Sequence, residues 1–204
     1  MSRVVGWMLL ALFAVATAGA SVLAPNPPST IFPDRAYAPP TPVRVRDAHG
    51  WRAPYFNPQL LADPVTRRFD VDTSRAVPVR WFAGGRLMTA GADGSPLLVL
   101  GADALGRDVF SRLLHGAQVS LGVAFLGAAG ALVLGAIVGG AAGVAGGRAE
   151  SMLMLAADFV LVLPAAYLVV VLRGALPLEL PGSTVFAFMT GLFTLVGWPM
   201  AARG

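Results

Sequence analysis

GADALGRDVFSRLLHGAQVS, residues 101–120, sets Asp103, Arg107, Asp108, Arg112 and His115 directly ahead of one of the most apolar parts of the chain. The run that follows, residues 117–145, holds no charged residue. At about 1.5 Å of rise per helical residue it is long enough to cross a hydrocarbon core of about 30 Å with tilt. Charges at the edge of such a run mark a membrane border, so the fold turns on how many runs of this kind the chain contains.

There are three more. Residues 4–23 are uncharged, follow Arg3 and end at Pro25, Pro27 and Pro28. The small residues of ATAGAS also suit a secretory signal peptide, but an uncleaved span is preferred because long apolar segments follow. A third run covers 151–172 after a short polar break containing Arg148 and Glu150, and a fourth covers 184–200 after a proline-bearing loop from Arg173 to Ser183. Composition agrees: the chain is 56% hydrophobic and 13% charged, with mean hydropathy +0.69, whereas soluble domains carry about a quarter charged residues. The expected fold is an all-α transmembrane bundle of about four spans.

Several chemistries are excluded. Without cysteine there is no disulfide, thiolate metal site or cysteine nucleophile. All 15 basic residues are arginine, so there is no Walker A lysine and no Schiff-base lysine. The net charge of +4 comes from arginines scattered among prolines and acids, which form no stripe for nucleic acid. No serine–histidine pairing, metal cluster or paired carboxylates stand at catalytic spacing, and His49 has no second histidine nearby. Neither catalytic residues nor cofactors are expected.

Within the spans, Gly127, Ala131, Gly135, Gly139, Gly143 and Gly147 fall four apart, a stripe of small residues on one helix face. Lipid gives apolar helices little drive to associate, so close backbone approach has to supply it. The stripe predicts a packed helix seam, either within this chain or with a partner. Asp158 in the third run should face protein or water. It reads either as a translocation or relay residue, or as a packing acid with a partner or an acid close enough to the interface to stay wet. Its position only two turns from Ser151 favours the latter pair of readings. Pro164 should kink that helix.

Residues 25–100 form a long loop. Ten prolines between Pro25 and Pro64 predict an extended, irregular first half. The second half predicts a hairpin, Val77–Ala83 and Arg86–Ala90 about Gly84–Gly85, then a turn over 91–95 and a third short strand over 97–100. Trp51, Trp81 and Phe82 are its expected core. With the N-terminus inside, the loop lies outside, and Arg3, Arg148 and Arg203 outnumber Arg173 at the short inner ends, as the positive-inside rule requires; long loops cross largely regardless of charge.

The stretch that opens this section resembles the region before the second span in permease subunits of bacterial dipeptide, oligopeptide and nickel ABC importers, which read G-T-D-x-x-G-R-D-x-x-S-R-x-x-x-G-x-x-x-S. Gly101, Asp103, Gly106, Arg107, Asp108, Ser111, Arg112, Gly116 and Ser120 match, and Ala102 replaces the threonine. Asp158 and Pro164 match the D-x-x-x-x-x-P of the third span, and Gly197-Trp198 with Ala202-Arg203-Gly204 is similar to the end of the fourth. The resemblance covers residues 101–204 and the first span, and the loop looks like the extended version found in a subset of these permeases.

The resemblance implies a six-span, multi-pass subunit of the bacterial inner membrane. Its implied partners are a second permease subunit, two ABC ATPase subunits that hydrolyse ATP in place of this chain, a periplasmic substrate-binding protein and membrane lipid. ATP-driven closure would rock the paired permeases between inward and outward openings, with the glycine stripe as part of a two-state interface. The coupling EAA loop would begin where residue 204 stands, so the chain is expected to be a truncated portion of the subunit. The alternative function is a membrane-anchored external binding or scaffold module built on residues 25–100.

Locally, Asp103 is expected to cap a helix start and Asp108 to pair with Arg112 four residues on. Leu105, Val109, Phe110, Leu113 and Leu114 form an apolar stripe opposite Arg107, Asp108, Ser111, Arg112 and His115. The expected element is an amphipathic helix over 101–116 lying in the membrane interface and meeting the second span at Gly116. The expected organisation is therefore a span over 1–24, an external loop over 25–100, that helix, and a partial permease domain over 117–204.

Overall fold

The first apolar run folds as α1 (Ser2–Ala18) and the short α2 (Ala20–Leu23), joined at Gly19, whose N–H still donates to the Val15 carbonyl at 2.9 Å. The computed structural model describes residues 2–47, 50–90, 94–174, 177 and 179–203; His49, Gly204 and most of the turn expected over 91–95 lie outside them. The chain divides into two units, residues 1–118 and 119–204.

In the first unit, α2 is followed by seven short strands. β1 (Val43–Asp47) pairs antiparallel with β2 (Gly50–Phe56), β3 (Gln59–Asp63) with β4 (Arg68–Val71), β5 (Val77–Pro78) with β2, and β6 (Arg80–Trp81) with β7 (Met88–Thr89). Three of these strands, β1 to β3, lie in the half expected to be irregular. Prolines are accommodated because Pro54 falls at the register irregularity of the β1–β2 pair and Pro78 lies on the edge strand of a small three-stranded sheet ordered β1-β2-β5.

The expected hairpin about Gly84–Gly85 is shorter than read. Its paired residues are Arg80 with Thr89 and Trp81 with Met88, around a 3-10 turn at Ala83–Gly85, while Val77–Pro78 turns to β2 instead. The core is also different from expectation. Phe56, Val77, Val79 and Leu97 are buried together, with Met88, Ala90 and Val99 against them, while Trp51, Trp81 and Phe82 are exposed. The register explains this. Phe56 stands opposite Val77 at the centre of the sheet, whereas Trp51 stands opposite Arg46 at the end of the β1–β2 pair where the two strands join in sequence, beyond the residues that pair with β5.

A single helix, α3 (Val109–Ala145), then carries the chain through 37 residues without interruption. At about 1.5 Å per residue it measures about 55 Å, well beyond a hydrocarbon core. Gly146 and Gly147, both at positive φ (62° and 58°), end it and turn the chain directly into α4 (Gly147–Val162). The expected polar break over 146–150 is thus a two-glycine corner, and Arg148 and Glu150 lie in the first turn of α4.

α4 stops before Leu163–Pro164, and α5 (Ala165–Gly174) resumes beyond, the two axes differing by 85°. Pro164 has no N–H for the helix ladder and biases the residue before it to extended geometry; Leu163 sits at φ −69°, ψ 121°. The final helix, α6 (Gly182–Ala202), is 21 residues long. Among the described residues, α3 and α6 are long and apolar enough to cross a membrane, and the bent α4–α5 pair makes a third candidate. α1 is shorter, at 17 residues.

Candidate functional site

The motif over 101–116 is not a helix throughout. Residues 101–108 form a turn closed by a bridge between Ala102 and Asp108, and helix begins only at Val109. The reason is local. Gly101 and Gly106 adopt φ of +79° and +74°, left-handed values that no α-helix accepts. Both glycines also let another backbone close in: a Cβ on Gly101 would lie 2.5 Å from the Ala38 carbonyl oxygen, and one on Gly106 would overlap that of Phe32.

The proline-rich arm is laid against this turn and the residues just before it by main-chain hydrogen bonds. Phe32 N–H donates to Gly106 O (3.0 Å), Tyr37 N–H to Asp103 O (3.0 Å), Ala102 N–H to Ala38 O (2.9 Å) and Thr41 N–H to Leu98 O (2.8 Å). The spacing of the glycines therefore encodes docking of residues 32–41 rather than an amphipathic face.

Asp103 closes the turn instead of capping a helix. Its carboxylate accepts from Leu105 N–H (2.9 Å), Arg107 N–H (3.0 Å) and Arg107 Nε (2.8 Å). Burial pushes this carboxyl up, but the Arg107 N–H, the Arg107 side chain, the Leu105 N–H and the positive charge together hold it below the usual carboxylate value. Arg112, expected to pair with Asp108, lies with Nε 3.7 Å from Asp103.

Asp108 and Ser111, expected on the polar face, are instead inside the unit, at 1% and 0% exposure. Asp108 caps α3. Its Oδ1 accepts from Phe110 N–H (3.1 Å), and its Oδ2 from the Ser111 hydroxyl (2.5 Å) and Asn26 Nδ2 (2.9 Å). Asn26 also donates from Nδ2 to Leu97 O (2.8 Å) and from its main chain to Ser111 Oγ (3.2 Å). Beside this network Ala20, Ala24 and Leu114 are buried together, with Leu23 and Phe110 against them. The end of the first apolar helix and the start of α3 are thereby fastened together, with Leu105 and Leu113 left exposed. His115 Nδ1 lies 2.9 Å from Ser111 O, and Gly116 sits within α3 with open space at its Cβ position.

Asn26 was not singled out in the sequence. Its signal is faint: a polar amide between two prolines, where a membrane helix ends and its last carbonyls need partners.

In the second unit the small-residue stripe packs within the chain, against α6. Added Cβ atoms would lie 2.7 Å from Phe193 Cβ at Gly127, 2.5 Å from Ala201 Cβ at Gly135 and 2.6 Å from Ala202 O at Gly139, while Ala131 Cβ faces Gly197. Gly122 and Gly130, outside the stripe, join the seam against Phe186 and Thr194. Gly143 and Gly147 do not take part: each has open space, and Gly147 already belongs to α4. Partner numbers rise together along both helices, from 122 with 186 to 139 with 202, so α3 and α6 run parallel. An apolar groove of about 890 Å³ lies beside the seam, lined by residues including Val123, Ala124, Ala128, Leu132, Phe193 and Met200. It offers no charged group, so it suits hydrocarbon rather than an ion.

Asp158 is paired with Arg203, at the C-terminal end of α6. An acid among apolar helices is thereby given a cation. Pro164 lies at the corner between α4 and α5.

No protein-family model matches the chain. It is 42% identical over 77 residues to the nickel transport system permease protein NikC of Escherichia coli, a match covering 38% of this chain and 28% of that protein. To the dipeptide transport system permease protein DppC of Bacillus subtilis it is 40% identical over 103 residues, 50% of this chain and 30% of the relative. To the oligopeptide transport system permease protein OppC of the same organism it is 37% identical over 106 residues, 50% and 32% respectively. The chain thus spans about a third or less of the length of these relatives. Over up to about half of its own length, this chain is homologous to permease subunits of nickel, dipeptide and oligopeptide transport systems.

Proposed function

We propose that the chain forms part of the membrane-embedded permease of an ATP-driven importer for peptides or nickel, building the translocation path with a second permease subunit. The observation that carries this reading is its identity to NikC, 42% over 77 residues. In this reading two ATPase subunits hydrolyse ATP, a periplasmic binding protein delivers substrate, and peptides are the favoured cargo. Function as a membrane-anchored external binding or scaffold module with no transport role is not favoured, because the relatives are transport permeases.

The reading places the subunit in the bacterial inner membrane with its N-terminus in the cytoplasm and residues 25–100 outside. α1 with α2 supplies the first crossing. The parallel course of α3 and α6 supports an odd number of crossings between them, which makes the α4–α5 pair one bent span. The seam meets backbone to backbone at Gly135 and Gly139, leaving no slack for sliding. In this reading α3 and α6 therefore move as one body, and the two-state rearrangement of transport occurs between that body and other helices.

Deleting the gene and measuring uptake of radiolabelled dipeptides, oligopeptides and nickel tests the proposal. Loss of uptake of one class, restored by the gene in trans, is the expected result. Unchanged uptake of all three overturns it.

A further inference from the structure

The turn between β6 and β7 is bonded to the exit of the first apolar helix. Leu87 N–H donates to the Val22 carbonyl at 2.6 Å, and Arg86 Nη1 donates to the Ala24 carbonyl at 3.0 Å. These two carbonyls belong to the last turn of α2 and the residue after it, where a helix has no acceptor-satisfying N–H of its own. At the same turn Trp81 is 50% exposed and Phe82 76% exposed, although both are large and apolar. Phe82 is also held at φ 53°, ψ 26°, a left-handed conformation normally left to glycine. Arg80 and Arg86 flank the pair. The neighbouring helix is itself uncovered and apolar, with Val15 and Val22 exposed near the exit and Trp7, Leu9, Leu10 and Leu12 earlier along α1.

We propose that the β6–β7 turn is a membrane-interface anchor, in which Trp81 and Phe82 enter the headgroup and upper acyl region of the bilayer and Arg80 and Arg86 meet lipid phosphates. Aromatic rings favour that layer, and arginine beside them finds anionic partners there. A lipid surface is the occupant because the turn that carries the exposed aromatic pair is hydrogen-bonded to the end of a helix whose own apolar side chains are exposed. The anchor also gives the two freed carbonyls donors at the depth where water becomes scarce. This inference rests on the reading that α1 and α2 enter the membrane.

The chain has no cysteine, so single cysteines report cleanly. Phe82→Cys, Trp81→Cys, Leu10→Cys in α1 and Val65→Cys in the β3–β4 turn would each be labelled with an environment-sensitive fluorophore. The full chain would be reconstituted in phosphatidylethanolamine–phosphatidylglycerol vesicles containing lipids brominated either near the carbonyl or near the chain end. Trp81→Cys, in ordinary strand geometry, keeps the test valid if cysteine at 82 disturbs the turn. The expected result is a blue shift and loss of emission at 81 and 82 with shallow bromine, loss at 10 with deep bromine, and neither at 65. Quenching at 10 without quenching at 81 and 82 overturns the anchor and leaves the span intact. Absence of quenching at 10 overturns the span, and the anchor with it.

Discussion

Single residues of the 101–108 turn carry consequences that their side chains alone would not suggest. Gly106 combines φ of +74° with a neighbouring Phe32 carbonyl in the space of a Cβ. Gly106→Ala should therefore cost at least about 2 kcal/mol, since the left-handed conformation alone costs an L-residue about 1–2 kcal/mol and the carbonyl must also move. Gly116→Ala, in α3 with nothing within 4 Å, should be neutral or stabilising by up to about 1 kcal/mol. Thermal unfolding of the purified variants in detergent distinguishes the two. Asp103 adds a pH dependence. Its carboxyl is held below the ordinary value in the folded chain, so the stability it contributes is present above about pH 3.9 and is lost as pH falls through the folded value. Asp63, lowered chiefly by the Thr66 hydroxyl, and Asp72, lowered chiefly by the Ser74 hydroxyl, act in the same direction. Unfolding midpoints should fall as the pH is taken below about 4, and Asp103→Asn should flatten part of that slope.

At the level of elements, the helices were legible in the sequence because uncharged length is a local property. The four-residue spacing of small residues was equally visible, though it left open whether the seam lay within the chain or against a partner. What the stripe could not tell was its extent. Gly147 has the right spacing, but the left-handed corner at Gly146–Gly147 takes it into α4. The first strands were hidden for another reason: Val43-Arg44-Val45-Arg46 alternates as a strand should, yet the surrounding prolines outweighed it. Asp108 was misread because its position is decided by Asn26, 82 residues away, and no helical projection contains that contact. The seam itself makes a sharp contrast testable. Gly135→Leu places side-chain carbons where Ala201 Cβ already stands 2.5 Å from the Cβ position, whereas Gly143→Leu enters open space. The first should destabilise α3–α6 packing by about 1–3 kcal/mol, the usual cost of overpacking. The second should leave it unchanged. Unfolding in detergent, read by circular dichroism, supplies the comparison.

For the whole molecule, direction is the strongest constraint. Two membrane helices that run parallel must be separated by an odd number of crossings, and α4 with α5 is the chain between α3 and α6. A re-entrant α4–α5 pair would return to the side it left and force α6 to run antiparallel to α3, against the rising partner numbers from Gly122–Phe186 to Gly139–Ala202. On the proposed membrane reading, the 85° bend at Pro164 would be a corner within one crossing. Arg148, beyond the end of α3, and the end of α6 should then share one face of the membrane, with Ser183, at the start of α6, on the other. In the cysteine-free chain, Arg148→Cys and a cysteine appended after Gly204 should react with a membrane-impermeant maleimide from the cytoplasmic side. Ser183→Cys should react from outside, together with Ser74→Cys in the long loop. Labelling of Arg148→Cys and Ser183→Cys from the same side would show that the bent pair does not cross, and the parallel seam could not then persist in a bilayer. Labelling of all four positions from the reversed sides would keep the seam and overturn only the cytoplasmic N-terminus, because parallel packing fixes relative direction and the arginine distribution alone supports the absolute one.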